Sequence, residues 1–246
     1  MSRSSIVRVA HRGASSQFPE NTLLAFRQAI EQGVDALEID IHRTADDELV
    51  IIHDPTLERT TNGSGGVRKH SLQEIRQLDA GRGEKVPVLT EVIQLACASN
   101  IRLCVEIKGV TETEELAVAE AIVRALEAAN FLRQTIVTSF SSQALLRAKA
   151  LEPEVSTMLD PSPQDGSLTP RQICVQALRA GANCLSYDFH ILTQEIATEC
   201  QLTGLTLWAW APDEPADIQK VLKFGVQGIV TNMPAVLNKV LNEFTF

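Results

Sequence analysis

The chain has 246 residues, of which 44% are hydrophobic and 22% charged, and a formal net charge of −9. That length allows a substantial core in one large domain or two small ones. The acidic balance argues against nucleic acid or an anionic membrane surface as a partner, and no apolar run is long enough to insert in a membrane.

Residues 6–10 (IVRVA) read as a first strand, and His11, Arg12 and Gly13 follow directly. Only five residues precede that strand, with no basic and apolar leader, so no export signal is visible. Pro19-Glu20-Asn21-Thr22 then starts a helix over 21–32 that ends at Gly33. Residues 36–41 form a second strand carrying Glu38 and Asp40. A short polar turn over 44–48 leads to another run at 49–52, followed by His53 and Asp54. Such a turn is too short for a parallel crossover, so this pair reads as an antiparallel hairpin. The segment TTNGSGG at 60–66 reads as a loop.

From residue 101 onward the pattern becomes regular. Strand-like runs at 103–107, 136–140, 155–159, 184–187, 205–210 and 228–231 alternate with helical patterns at 112–129, 141–150, 169–180, 193–201, 214–224 and 234–242. Thr169-Pro170 supplies a cap followed by proline at the first helical position. Gly181 and Gly225 stand where C-terminal glycines close helices. With the hairpin return strand set aside, eight strands with intervening helices imply an α/β fold: a closed (β/α)8 TIM barrel over 1–246 as one domain, with a small hairpin and loop insertion after the second strand. A doubly wound open sheet is the alternative, but no glycine-rich phosphate loop follows the first strand. The five cysteines (97, 104, 174, 184 and 200) are scattered without CxxC spacing. They read as reduced, buried thiols of a cytoplasmic protein and argue against a thiolate zinc site.

Charged groups at strand ends are poor core material, and in such barrels the C-terminal strand ends converge on one face. Glu38 and Asp40 lie two apart and share a strand face, as do Glu106 and Lys108. Three carboxylates from two strands can hold a divalent cation, and all-oxygen ligands favour Mg²⁺ or Ca²⁺, with Mn²⁺ also admissible. The competing reading is a set of rim salt bridges such as Glu106 with Lys108. His11 and His53 suit proton transfer near neutral pH. Asp54 either orients a neighbour or caps the Pro55 turn. Arg12 presents a fork for phosphate or carboxylate. Glu20 is placed to meet His11, Arg12 or the cation, and Asn21 to cap its helix. His42 is out of phase with Asp40 and is expected to face away. Of Trp208 and Trp210, which share a strand face, one is expected to wall the pocket.

The set HRG, PENT, ExD, HD and ExK, in this order and spacing, resembles the glycerophosphodiester phosphodiesterase family over essentially the whole chain, and its bacterial cytoplasmic members in particular. The resemblance implies a TIM barrel and divalent-metal-dependent hydrolysis of glycerophosphodiesters to sn-glycerol 3-phosphate and an alcohol. It implies His11 and His53 as the catalytic pair, and Glu38, Asp40 and Glu106 as metal ligands. It further implies Arg12 and Lys108 as phosphate contacts and Trp208 as a pocket wall; Glu20, Asn21 and Asp54 stand beside these as supporting residues on the reading above. The chain departs from the family at 79–87 (DAGRGEKVP), which is short and lacks aromatic residues, at Ala211, and at Thr231-Asn232, where an acidic residue is frequent. Two other readings stand beside it: a metal-dependent lyase or isomerase on the same barrel, and a phosphometabolite-binding protein without turnover. The oligomeric state is left open.

Overall fold

A computed structural model describes residues 6–161 and 168–243. Strands β1 (Val7–His11), β2 (Ala36–Arg43), β4 (Arg102–Ile107), β5 (Thr135–Ser139), β6 (Ser156–Leu159), β7 (Cys184–Asp188), β8 (Thr206–Trp210) and β9 (Gly228–Thr231) pair in parallel, and β1 closes the ring by pairing with both β9 and β2. The short β3 (Leu49–Ile51) adds antiparallel to β2, which is the predicted hairpin. The closed (β/α)8 barrel is therefore the observed fold, and the open-sheet alternative is excluded by the β1–β2 pairing.

Helices α1 (Leu23–Glu31), α4 (Glu112–Ala128), α5 (Ser142–Leu151), α6 (Pro170–Arg179), α7 (Gln194–Thr203), α8 (Pro215–Lys223) and α9 (Pro234–Glu243) fall where the sequence pattern puts them. The Thr169 cap and Pro170 start α6 as read, and Gln172 completes a capping box with Thr169. Two helices lie where the sequence reading assigns none: the single turn α2 (Leu72–Ile75) and α3 (Leu89–Ser99). The α3 pattern is present in the sequence: Leu89, Val92, Ile93 and Ala96 form a buried stripe at helical spacing behind Pro87. Among the described residues no helix is long and apolar enough to cross a membrane.

Alternation along the strands sorts the core. Leu37, Ile39 and Ile41 of β2 face outward into one cluster with α1, α3 and α4, while Val9, Ala36, Cys104, Met158, Cys184, Trp208 and Val230 fill the barrel interior. The same inward parity continues upward to the strand ends, where polar residues replace apolar ones. Four of the five cysteines are buried as expected. Cys97 is exposed instead, because it lies off the buried stripe of α3.

Candidate active site

The interior cluster ends beneath a cavity of about 150 Å³ at the C-terminal mouth of the barrel. It is lined by His11, Arg12, Glu38, His53, Glu106 and Lys108 on one side and by Thr138, Phe140, Asp160, Ser186 and Trp210 on the other. One cavity thus brings together most of the residues singled out from sequence, although they come from distant parts of the chain.

Glu38, Asp40 and Glu106 are all buried and place one carboxylate oxygen each within 4.8 Å of the others. At that spacing two full charges repel by roughly 3 kcal/mol at the effective dielectric of a protein site. Cations offset part of this. Arg12 Nε lies 3.2 Å from Asp40 Oδ2, and Lys108 Nζ lies 3.2 Å from Asp40 Oδ1 and 2.5 Å from Glu106 Oε1. Against the effect of burial, Lys108 and Arg12 hold Asp40 well below the usual carboxylate range. Burial and the Asp40 charge push Glu106 up to about 8, and burial with Asp40 and Glu106 raises Glu38 strongly. Two of the buried oxygens, Glu38 Oε1 and Asp40 Oδ1, accept no hydrogen bond. Orphaned carboxylate oxygens from a compact, all-oxygen set are what a hard divalent cation satisfies. The residues present fit such an ion: among the described residues no cation pairs with Glu38 Oε1, and at Asp40 Oδ1 the Lys108 ammonium stands 3.2 Å away without making a hydrogen bond.

The turn after β1 aims Arg12 at these acids. Arg12 has φ +57, and its backbone N–H donates to Glu38 Oε2 at 3.0 Å. Left-handed backbone at a non-glycine residue costs free energy and persists where surrounding contacts hold it. Gly13 is required next, since at φ +83 a Cβ there would lie 2.7 Å from the Ala25 backbone of α1.

Each histidine has one ring nitrogen tied down. His11 Nδ1 is 2.7 Å from Asn232 Oδ1. The amide is oriented by Asp213, whose Oδ2 accepts from Asn232 Nδ2 at 2.7 Å, and by Ser15, whose hydroxyl donates to Asn232 Oδ1 at 2.9 Å. Asn232 Oδ1 can only accept, so His11 carries its proton on Nδ1 and leaves Nε2 basic. Burial, then the Arg12 charge, lowers His11 to about 4. His53 Nδ1 is 2.7 Å from Asp54 Oδ1. Burial lowers the His53 pKa and Lys108 adds to this, while Asp40 and the hydrogen bond to Asp54 favour its charged form. Asp54 thus orients His53, the first of the two roles read for it. It is fixed in turn by Arg59, whose Nε and Nη2 donate to its two oxygens at 2.6 and 2.9 Å. Arg59 also holds Glu20 through two bonds of 2.8 Å, and Glu20 meets Arg12 at 3.0 Å. Glu20 therefore contacts Arg12, among the partners read for it.

Some sequence-predicted positions differ. The cap of α1 is Thr22, whose side chain accepts from Ala25 N. Asn21 instead adopts φ +56 and donates from Nδ2 to Asp40 Oδ2 at 2.8 Å. Trp208 sits one layer too low to wall the cavity, packed on Gly228 in the barrel interior; Trp210, two residues on, lines it beside Phe140. His42 does face away from the cavity, and its Nε2 is 3.1 Å from the carbonyl oxygen of His53. The short 79–87 segment lines none of the cavity. It packs on the α1 approach, with Glu84 accepting from Leu24 N and Arg82 stacked on Phe18. Asn232, Arg59, Asp160, Thr138 and Ser186 carry no site role on sequence grounds, while Trp210 is the one of the two tryptophans that walls the cavity. Asp160 and Asn232 follow directly after strands in the same position as Lys108 after β4, so the strand-end rule applied evenly finds both.

A family model described as the glycerophosphoryl diester phosphodiesterase family matches residues 11–236. A glycerophosphodiester phosphodiesterase from Caldanaerobacter subterraneus is 35% identical, covering 96% of this chain and 97% of that protein. One from Bacillus subtilis is 32% identical over 96% of this chain and 86% of the relative. Among solved structures, an Oleispira antarctica phosphodiesterase in complex with the product sn-glycerol-3-phosphate superposes with a TM-score of 0.85 at 27% identity, covering 96% of each chain.

Proposed function

Because the chain belongs to the glycerophosphoryl diester phosphodiesterase family and is therefore a phosphoric diester hydrolase, we propose that it cleaves glycerophosphodiesters to sn-glycerol 3-phosphate and an alcohol. In this reading His11 and His53 act as base and acid, and Glu38, Asp40 and Glu106 hold a divalent cation. The observation that carries the reading is the juxtaposition in one cavity of two oriented histidines and a buried three-carboxylate cluster. The product bound in the Oleispira antarctica structure supports the same substrate class.

A phosphodiester resists attack because it is anionic. A bound divalent cation would supply positive charge against the phosphoryl oxygens, and Mg²⁺ or Ca²⁺, with Mn²⁺ as a third candidate, match the donor set. The guanidinium of Arg12 and the ammonium of Lys108 add charge at the same edge. His11, neutral at pH 7, takes the proton of the attacking hydroxyl at Nε2. That hydroxyl is the 2-hydroxyl of the glyceryl group: its oxygen bonds to phosphorus as the bond to the alcohol oxygen breaks. His53, held in orientation by Asp54, delivers a proton to the departing alcohol. Water then opens the cyclic phosphate with the histidine roles exchanged. Glu20 and Arg59 support Arg12 and Asp54. One barrel domain carries all of these groups, and the scattered thiols, without a disulfide framework, support a cytoplasmic enzyme.

Replacing Asn232 by leucine removes the acceptor that selects the His11 tautomer. The expected result is a 10- to 100-fold loss in kcat/KM, by analogy with outer-shell partners of site histidines, with little change in unfolding temperature. An unchanged kcat/KM in the folded variant would show that Asn232 does not control His11. The reading as a whole is tested by incubating the purified protein with glycerophosphocholine or glycerophosphoethanolamine and measuring glycerol 3-phosphate. Release from at least one is expected; binding of these diesters with no release would favour a binding protein, and products other than a phosphomonoester would favour another reaction class.

A further inference from the structure

The far wall of the cavity is largely apolar, with Phe140, Met158, Trp210 and Val230. One carboxylate interrupts it. Asp160 directly follows β6, is 5% exposed, and forms no ion pair among the described residues. It is held by hydroxyls from both flanking strands: Thr138 Oγ1 of β5 donates to Oδ2, and Ser186 of β7 also hydrogen-bonds to it. Burying a carboxylate without a cation is costly, and two hydroxyl donors leave part of its lone-pair capacity open to the cavity. A carboxylate repels a phosphate and accepts readily from a hydroxyl. Arg12, by contrast, follows β1, directly across the ring from β6, and with Lys108 at the end of β4 it marks the part of the cavity where an anion is favoured. A cavity of about 150 Å³ accommodates a benzene-sized guest, and a glyceryl group has about as many heavy atoms as that guest.

Building on the hydrolase reading, we infer that Asp160, held by Thr138 and Ser186, is a specificity residue that accepts a hydrogen bond from the terminal hydroxyl of the glyceryl group. The phosphate then faces Arg12 and Lys108, and the leaving alcohol projects out of the mouth.

The test is calorimetric binding, with Mg²⁺ present, of glycerol 3-phosphate and of 2-hydroxypropyl phosphate, which lacks only that hydroxyl. A hydrogen bond to a charged group predicts that the wild-type protein prefers glycerol 3-phosphate by on the order of 10- to 100-fold. Asp160→Leu is expected to bring the two affinities within about threefold of one another, and Asp160→Asn, of the same size, to leave an intermediate ratio. Equal weakening for both ligands, with the ratio preserved, would show that Asp160 only ties the strands together and would overturn the inference. So would a wild-type ratio near one. If neither Asp160 variant folds, Ser186→Ala decides the point: loss of one of the two hydroxyls that orient the carboxylate is expected to change the ratio, and an unchanged ratio would overturn the inference. The readout needs no turnover: discrimination without hydrolysis of any diester would overturn the hydrolase reading and leave this subsite standing, and hydrolysis without discrimination would do the reverse.

Discussion

Replacing His11 with alanine is expected to lower kcat for glycerophosphodiester cleavage by about 10²- to 10⁴-fold, the range for loss of a positioned proton acceptor. His53→Ala does the same within that range. Neither change is expected to unfold the protein, because both rings line the cavity and neither packs in the core clusters. The two variants differ in their dependence on the leaving alcohol. Without His53, phosphodiesters of acidic alcohols such as p-nitrophenol recover much of the lost rate of the first step, read as p-nitrophenolate released in a single turnover, since such a leaving group needs no proton. Without His11 they do not. The pH profile follows from the same assignment. His11 must be deprotonated to act as base and sits at about 4, so with the cation kept saturating, its titration limits wild-type kcat/KM only at or below about pH 4. His53 must be protonated, and its pKa lies below the ordinary histidine value, so activity declines as pH rises through that value in the free enzyme. Near wild-type turnover in either folded variant would remove the two-histidine mechanism.

The second large effect concerns the acidic cluster. Without a cation, the folded protein holds protons on Glu106 and Glu38 that the unfolded chain gives up near the ordinary carboxylate value, since Glu106 is pushed up to about 8. The folded state therefore binds more protons than the unfolded state between those values, and stability falls as pH rises from about 5 to 8. The magnitude is on the order of a few kcal/mol. Asp40 has the opposite sign, but its pKa is depressed and its contribution is lost only at more acidic pH. A divalent cation competes with those protons. Its affinity should rise with pH towards about 8, its binding should release protons, and it should raise the unfolding temperature more at pH 8 than at pH 6. Asp40→Asn should abolish this cation-dependent stabilisation and lower activity by at least about 10²-fold, the scale of losing a charge-stabilising group. Thermal unfolding with and without Mg²⁺ or Ca²⁺ at both pH values checks this, and an equal shift for the wild-type and Asp40→Asn proteins would refute the cation site.

The parts of the site legible from sequence are those governed by local rules. A strand alternates, so the two-residue spacing of Glu38 with Asp40 and of Glu106 with Lys108 is enough to declare a shared face. The short 44–48 turn likewise declares a hairpin. What sequence does not supply is contact across the closed barrel. Asn232 reaches His11 only because β9 pairs with β1, and Arg59 reaches Glu20 from 39 residues away. Depth is also hidden. Trp208 and Trp210 share parity, and only the stacking of interior layers shows that the lower one fills the barrel while the upper one meets the cavity. Asn21 reads as a cap because caps are a common use of asparagine, but its left-handed backbone turns the amide towards Asp40 and passes the cap to Thr22. The α3 stripe is visible in the sequence, yet it begins directly after the loop residues of 79–87, which mask its start.

The central claim, cation-dependent cleavage of glycerophosphodiesters in this cavity, is tested most directly by measuring glycerol 3-phosphate released from glycerophosphocholine. The protein is first treated with a chelator, and Mg²⁺, Ca²⁺ or Mn²⁺ is then restored singly. Release that disappears on chelation and returns with at least one of these ions is the predicted result. Undiminished release from fully chelated, folded protein would contradict the claim, as would no release with any of the three.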